Sequence, residues 1–170
     1  MKKLYTLLSL VVLSFAVNAQ CTDLFFSECV EGTSNNKALE IYNPTSSAID
    51  LSNYAVIRMN NGKTTSPDTF RMNGMLASEA VYIIANSQAD AAILALADTT
   101  GSATFYNGDD ALTLANITLS TVVDLFGVPG VDPGSAWTWV SGATNNSTLV
   151  RNYSVQSGVA TWDTLEWVSS

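Results

Sequence analysis

Asp109 and Asp110 stand side by side directly after Asn107-Gly108, in a stretch crowded with side-chain oxygens. A hard cation such as Ca2+ gathers about six to eight oxygen ligands, and this turn begins such a shell without matching an EF-hand loop. The simpler use of Asp110 is to accept from nearby backbone donors ahead of a strand. Calcium at Asp109 and Asp110 is the one cofactor the sequence brings into view, and none is otherwise expected. A second pairing joins Glu28 with Glu40, since an acid and a base can flank a glycosidic bond. Glu28 is in phase with Leu24, Phe26 and Val30, which predicts an inward side chain. Glu40 sits between Leu39 and Ile41 and is predicted to face outward, so phase separates the two. An inward Glu28 needs a partner: Lys37, Arg151, backbone donors or a metal ion.

The remaining catalytic repertoire is thin. The chain has no histidine, which removes the usual base near neutral pH, the commonest metal ligand and the standard partner of a serine nucleophile. GxGxxG, Walker, HExxH and GxSxG patterns are missing. Cys21 and Cys29 are the only cysteines and cannot make a structural zinc site alone. If residues 22–30 form one strand, the two Cα atoms lie about 26 Å apart at ~3.3 Å per residue, beyond the ~7 Å a disulfide spans. Cys29 is then a small buried side chain. The chain reads as a non-enzyme, with a carboxylate-based, metal-dependent hydrolase as the catalytic alternative.

Met1-Lys2-Lys3 followed by an uncharged apolar run to Val17 has the layout of a secretory signal peptide. The run is shorter than the ~20 residues of a membrane span, so no transmembrane segment is expected. Val17 and Ala19 suit signal peptidase, which gives a leader over 1–19 and a single domain over 20–170. Cys21 offers a lipoprotein alternative, disfavoured by Gln20 in the place where a small residue belongs. Loss of Lys2 and Lys3 takes the net charge from −8 to −10. The remaining Lys and Arg are never neighbours in sequence, so direct nucleic-acid binding is not expected.

The residues must be positioned by strands. Runs of β-branched, aromatic and aliphatic residues closed by Asn, Gly, Pro, Asp or Ser predict strands over 23–30, 38–42, 54–59, 69–72, 81–85, 103–106, 111–115, 121–126, 137–140 and 147–151. The segments 31–36, 60–62 and 107–108 supply residues that tolerate positive φ. Ser87 and Asp90 at capping-box spacing precede an alanine-rich stretch over 91–97, predicting one short α-helix. Ile93, Leu94 and Ala97 would share a face and cover an edge or end of the sandwich. Trp137, Trp139, Trp162, Trp167, Tyr106 and Tyr153 are either core or a sugar-stacking platform.

Several segments together resemble the lamin-tail domain, especially its secreted bacterial form. They are Leu24-Phe25-Phe26-Ser27-Glu28, the run from Lys37 to Thr45, Ile49-Asp50-Leu51-Ser52-Asn53-Tyr54, Val81-Tyr82-Ile83-Ile84-Ala85-Asn86, Asn107-Gly108-Asp109-Asp110-Ala111-Leu112, Val122-Val123-Asp124 with Gly127, and Ser147-Thr148-Leu149-Val150-Arg151. The resemblance implies an immunoglobulin-like β-sandwich and brings no catalytic residues. It leaves open a module acting alone or the N-terminal part of a larger secreted hydrolase or nuclease. The expected role is an extracellular accessory module for a cell-surface, glycan or protein partner, with a structural or assembly protein as the third class. Loops over 33–36, 60–66 and 128–135 would carry the contact, with Ser34, Asn35, Asn36, Asn60, Asn61, Lys63 and Asp132 as binding candidates.

Overall fold

Period-two alternation and frequent turn residues leave little room for helix, and the computed structural model, which describes residues 22–169, is built almost entirely of strands. In chain order these are β1 Phe25–Glu31, β2 Lys37–Tyr42, β3 Ile49–Asp50, β4 Tyr54–Met59, β5 Asp68–Arg71, β6 Met75–Leu76 and β7 Val81–Ala85. After the helix α1 Ala91–Leu94 come β8 Thr99–Thr100, β9 Ala111–Asn116, β10 Thr121–Phe126, β11 Thr138–Trp139, β12 Gly142–Ala143, β13 Ser147–Arg151 and β14 Trp167–Ser169. One sheet has the order β14-β13-β1-β2-β7-β8, antiparallel except for the parallel β7–β8 pair. The other runs β10-β9-β4-β5, and β3–β6 and β11–β12 form small ribbons.

The two sheets bury their facing side chains against each other. Leu24, Phe26, Leu39, Ile41, Ile84 and Leu149 come from the larger sheet and its approach, and Val56, Leu112, Leu114 and Phe126 from the smaller. The expected all-β sandwich with one short α-helix is therefore the fold. The leader and Cys21 lie outside the described residues, and so does any pairing of Cys21. Cys29 is a buried free thiol, its ionisation pushed up to about 12 by burial.

Alternation breaks inside β1, with consequences for everything above it. Phe26 pairs with Ile41 on β2, but the next matched pair is Glu28 with Glu40, so the ladder carries a β-bulge at Ser27. Leu24 and Phe26 point inward before the bulge, and Cys29 and Glu31 point inward after it. β10 carries a matching irregularity between Val122 and Asp124.

Other expectations need correction. Residues 103–106 are not a strand: Ser102–Thr104 forms a 3-10 turn closed by Thr104 Oγ1 on the Gly101 carbonyl at 2.7 Å. Of 137–140 only Thr138–Trp139 pairs. The helix is shorter than expected and buries no residue. Asp90, not Ser87, takes its N-cap position, without a side-chain bond to the helix. Asp90 instead accepts from Asn36 Nδ2 at 2.7 Å, while its own N–H reaches Asn36 Oδ1 at 2.8 Å. Positive φ occurs at Ser34, Asn61 and Gly62 as expected, but not at Asn107 or Gly108. Gly108 is required by proximity, since a Cβ there would lie 2.6 Å from Asn145 Cβ.

Candidate functional site

The binding-loop candidates converge, but as braces. Asn61 donates its backbone N–H to Asp110 Oδ1 at 2.9 Å and its side-chain amide to Asp109 Oδ2 at 3.0 Å. Gly62 approaches so closely that a Cβ would meet Asp132 N at 2.7 Å, and Asp132 Oδ1 accepts from Gly134 N at 2.7 Å. Asn35 donates to Gln88 Oε1 at 2.8 Å, and Asn36 holds Asp90. Ser34, Lys63 and Asp132 are exposed and Asn60 is half-buried. Lys63 and Asn60 line a polar hollow of about 140 Å3 with Arg58, Thr65, Ser66 and Asp68.

Asp109 and Asp110 are likewise structural in their contacts. Arg58 Nη1 lies 2.9 Å from Asp110 Oδ2 and also pairs with Asp68. Asn107 N–H reaches Asp110 Oδ2 at 3.3 Å, so this carboxylate accepts local backbone donors as well. Asp109 is buried, and burial together with the charge of Asp110 raises its pKa; Asp132 and Glu31 add in the same direction. Its Oδ1 has no hydrogen-bond partner. Among the described residues no three His, Cys, Asp or Glu side chains converge to hold a metal.

Lys37 and Arg151 are committed elsewhere than Glu28. Lys37 pairs with buried Glu31, which also accepts from Asn146 N–H. Arg151 Nη2 lies 2.9 Å from Asp124 Oδ1 and 3.2 Å from Glu166 Oε2, and its guanidinium stacks 4.8 Å from the Trp167 ring. Asp124 is wholly buried and ties the sheets together, accepting from Phe26 N–H at the β1 bulge (2.9 Å) and Val159 N–H (3.0 Å). Burial lifts its pKa while Arg151 and these amides pull it back down. Gly158 permits the approach, since a Cβ there would meet Val123 O at 2.6 Å and Asp124 Cβ at 2.7 Å.

The aromatic residues are mostly core. Trp162 and Trp167 pack edge-on to Phe126 at 4.8 and 5.1 Å, and Trp139 lies against the core cluster. Tyr106 is buried, with its hydroxyl 2.7 and 2.8 Å from the Val30 and Ala38 carbonyls. Tyr153 alone of the six is fully open, at 95 % exposed.

The arrangement that sequence reasoning missed lies on the outer face of the larger sheet. Because of the bulge, Glu28 faces outward and sits directly across from Glu40, with Val150 opposite on its other side and Ile83 beyond Glu40. Like charges directly opposite on a sheet oppose folding. Ser27 Oγ donates to Glu40 Oε1 at 2.8 Å. Burial and the Glu40 charge raise the Glu28 pKa. A hollow of about 140 Å3 opens beside the pair, walled by Val30, Ala38, Ile83, Ile93 and Leu96. Glu40 also borders a second hollow of about 390 Å3 that runs past Tyr42 and Glu79 to Val150 and Tyr153. Glu40 lines both, and these two adjoining hollows are the outer-face groove.

Two facing sheets, a buried inter-sheet ion pair and an open sheet face define an immunoglobulin-like β-sandwich module. The Lamin Tail Domain family model matches residues 18–130, and the chain belongs to that family. No curated protein matches it. Among the described residues no helix is long and apolar enough to cross a membrane.

Proposed function

We propose that the chain is an exported, non-catalytic recognition module that holds a cell-surface, glycan or protein partner on the outer face of its larger sheet. The observation that carries this reading is the groove at Glu28 and Glu40. A like-charged pair set beside aliphatic walls works against folding, and perturbed groups in a cleft are a mark of functional sites. The loop candidates support it less, because Asn35, Asn36 and Asn61 spend their amides on neighbouring loops. Export rests on the basic start and apolar run of residues 1–19, with attachment through Cys21 as the alternative.

The test is retention of the purified protein on envelope fractions, surface glycans and peptides, compared with an Ile83→Trp variant that fills the smaller hollow. Retention lost in the variant, with the strand circular-dichroism signal unchanged, supports the outer face. Retention equal in both proteins, or none at millimolar concentration, refutes it.

A further inference from the structure

We propose that the outer-face groove takes a lysine side chain of an extended polypeptide partner, its ammonium seated between Glu28 and Glu40. This rests on the outer-face reading above and names its ligand. Three features of the groove select that chemistry.

The first is charge. Glu28 and Glu40 are cross-strand neighbours, and no cation among the described residues pairs with them: Lys37 is held by Glu31, Arg58 by Asp110 and Asp68, and Arg151 by Asp124 and Glu166. Lys63 and Arg71 belong to the smaller sheet and its connection. A cation from outside would relieve the repulsion that the two carboxylates impose on each other.

The second is shape. The hollow beside the acids, about 140 Å3, is lined by both carboxylates. Its walls are aliphatic, which suits an alkyl stem, with Ile93 and Leu96 overhanging from the helix side. A quaternary ammonium would call for an aromatic cage, and a guanidinium for a flat bidentate acceptor. Two carboxylates on separate strands instead suit the compact, rotatable donors of a primary ammonium.

The third is continuity. Glu40 borders the larger hollow as well, whose lining also includes Tyr42, Val150, Arg151 and exposed Tyr153. A free alkylamine would use only the smaller hollow; a lysine within a chain uses both. The net charge of −8 favours a basic partner over an acidic one.

The experiment uses the purified chain and an arrayed library of ten-residue peptides randomised around a fixed central lysine, read by fluorescence anisotropy. Parallel libraries carry norleucine or arginine at the centre, and n-butylamine is titrated as the free amine. The lysine library is expected to contain binders that weaken tenfold or more with norleucine, as loss of a charge-assisted hydrogen bond predicts. Glu28→Gln and Glu40→Gln should each weaken them by a similar factor, while Asp50→Asn, at an exposed acid on the β3–β6 ribbon, should have little effect. Butylamine should bind at least tenfold more weakly than the best peptide. Equal binding of the lysine and norleucine libraries, indifference to both Gln variants, or butylamine binding as tightly as any peptide overturns the proposal. If a glycan is retained and released by Ile83→Trp while no lysine peptide binds, the outer face stands and lysine is wrong. If nothing engages that face, both fall.

Discussion

Replacing Asp124 with alanine removes a buried carboxylate that three separate donors share. Arg151 Nη2, Phe26 N–H and Val159 N–H all lie 2.9–3.0 Å from its oxygens, and none of these contacts reaches solvent at Asp124, which is 0 % exposed. In Asp124→Ala, Arg151 would retain only Glu166 at 3.2 Å, with its Nε and Nη1 already without partners. Stranding one member of a buried ion pair costs about 3–5 kcal/mol. Each backbone N–H left without an acceptor adds about 1–3 kcal/mol, partly the same loss counted twice because the site relaxes as a unit. The expected total is about 4–6 kcal/mol, a large share of the ~5–15 kcal/mol that a domain of this size has. Urea denaturation followed by tryptophan fluorescence reads it directly, since Trp167 stacks on the affected guanidinium. Adding Arg151→Met should restore about 1–3 kcal/mol by removing the stranded charge. A loss below about 1 kcal/mol in the single variant, or strictly additive losses in the double variant, would refute the assignment of Asp124 as the inter-sheet clamp.

Three further outcomes follow from the geometry. Glu28→Gln should stabilise the protein at neutral pH by about 0.5 kcal/mol, the lower half of the cross-strand range because water screens a half-buried group. Since the folded pKa of Glu28 is raised, its protonated form stabilises the fold below the ordinary carboxylate range and that contribution is lost as pH rises through the raised value. The advantage of the variant should therefore shrink to nothing on acidification; denaturant midpoints at pH 7 and in the acid range check this, and an advantage independent of pH contradicts it. Gly158→Ala should cost about 1–3 kcal/mol, because the new Cβ meets backbone and Asp124 within 2.7 Å; an unchanged urea midpoint would show the segment can move aside. Asn43→Ala should cost about 2–3 kcal/mol, since this wholly buried amide donates to the carbonyls of Ser47, Leu76 and Ala77, and Asn43→Asp should be worse because it turns a donor into a charge facing carbonyl oxygens. Thermal melts of the two variants set that order.

The parts of the fold that depend on period and turn chemistry were readable in advance. Alternation locates β2, β4, β7, β9, β10 and β13, and the left-handed residues at 34, 61 and 62 are Ser, Asn and Gly in turn segments. The candidate site was not readable, because the register that sets Glu28 against Glu40 exists only between strands and turns on a single unpaired residue. Strict alternation through β1 put Glu28 inside; the bulge put it outside. Asp124 and Arg151 belong to segments that carry the family resemblance, yet nothing local tells a buried clamp from a surface charge when the partners lie 27 residues apart. Residues 103–106 misled for a related reason: Ala103 and Tyr106 are buried, as strand residues would be, but by a tight turn that brings the tyrosine hydroxyl beneath the β1–β2 pair.

Ser27 works as a change of parity in the chain. Upstream of it the even-numbered positions Leu24 and Phe26 face the core, and downstream the odd-numbered Cys29 and Glu31 do. A one-residue deletion there would restore even alternation and leave Cys29 inward and Glu28 outward; pairing Ser27 in a regular ladder, with no residue removed, is what would send the thiol of Cys29 outward and the carboxylate of Glu28 toward the interior. The display face of the module is thus written by backbone count as much as by residue type.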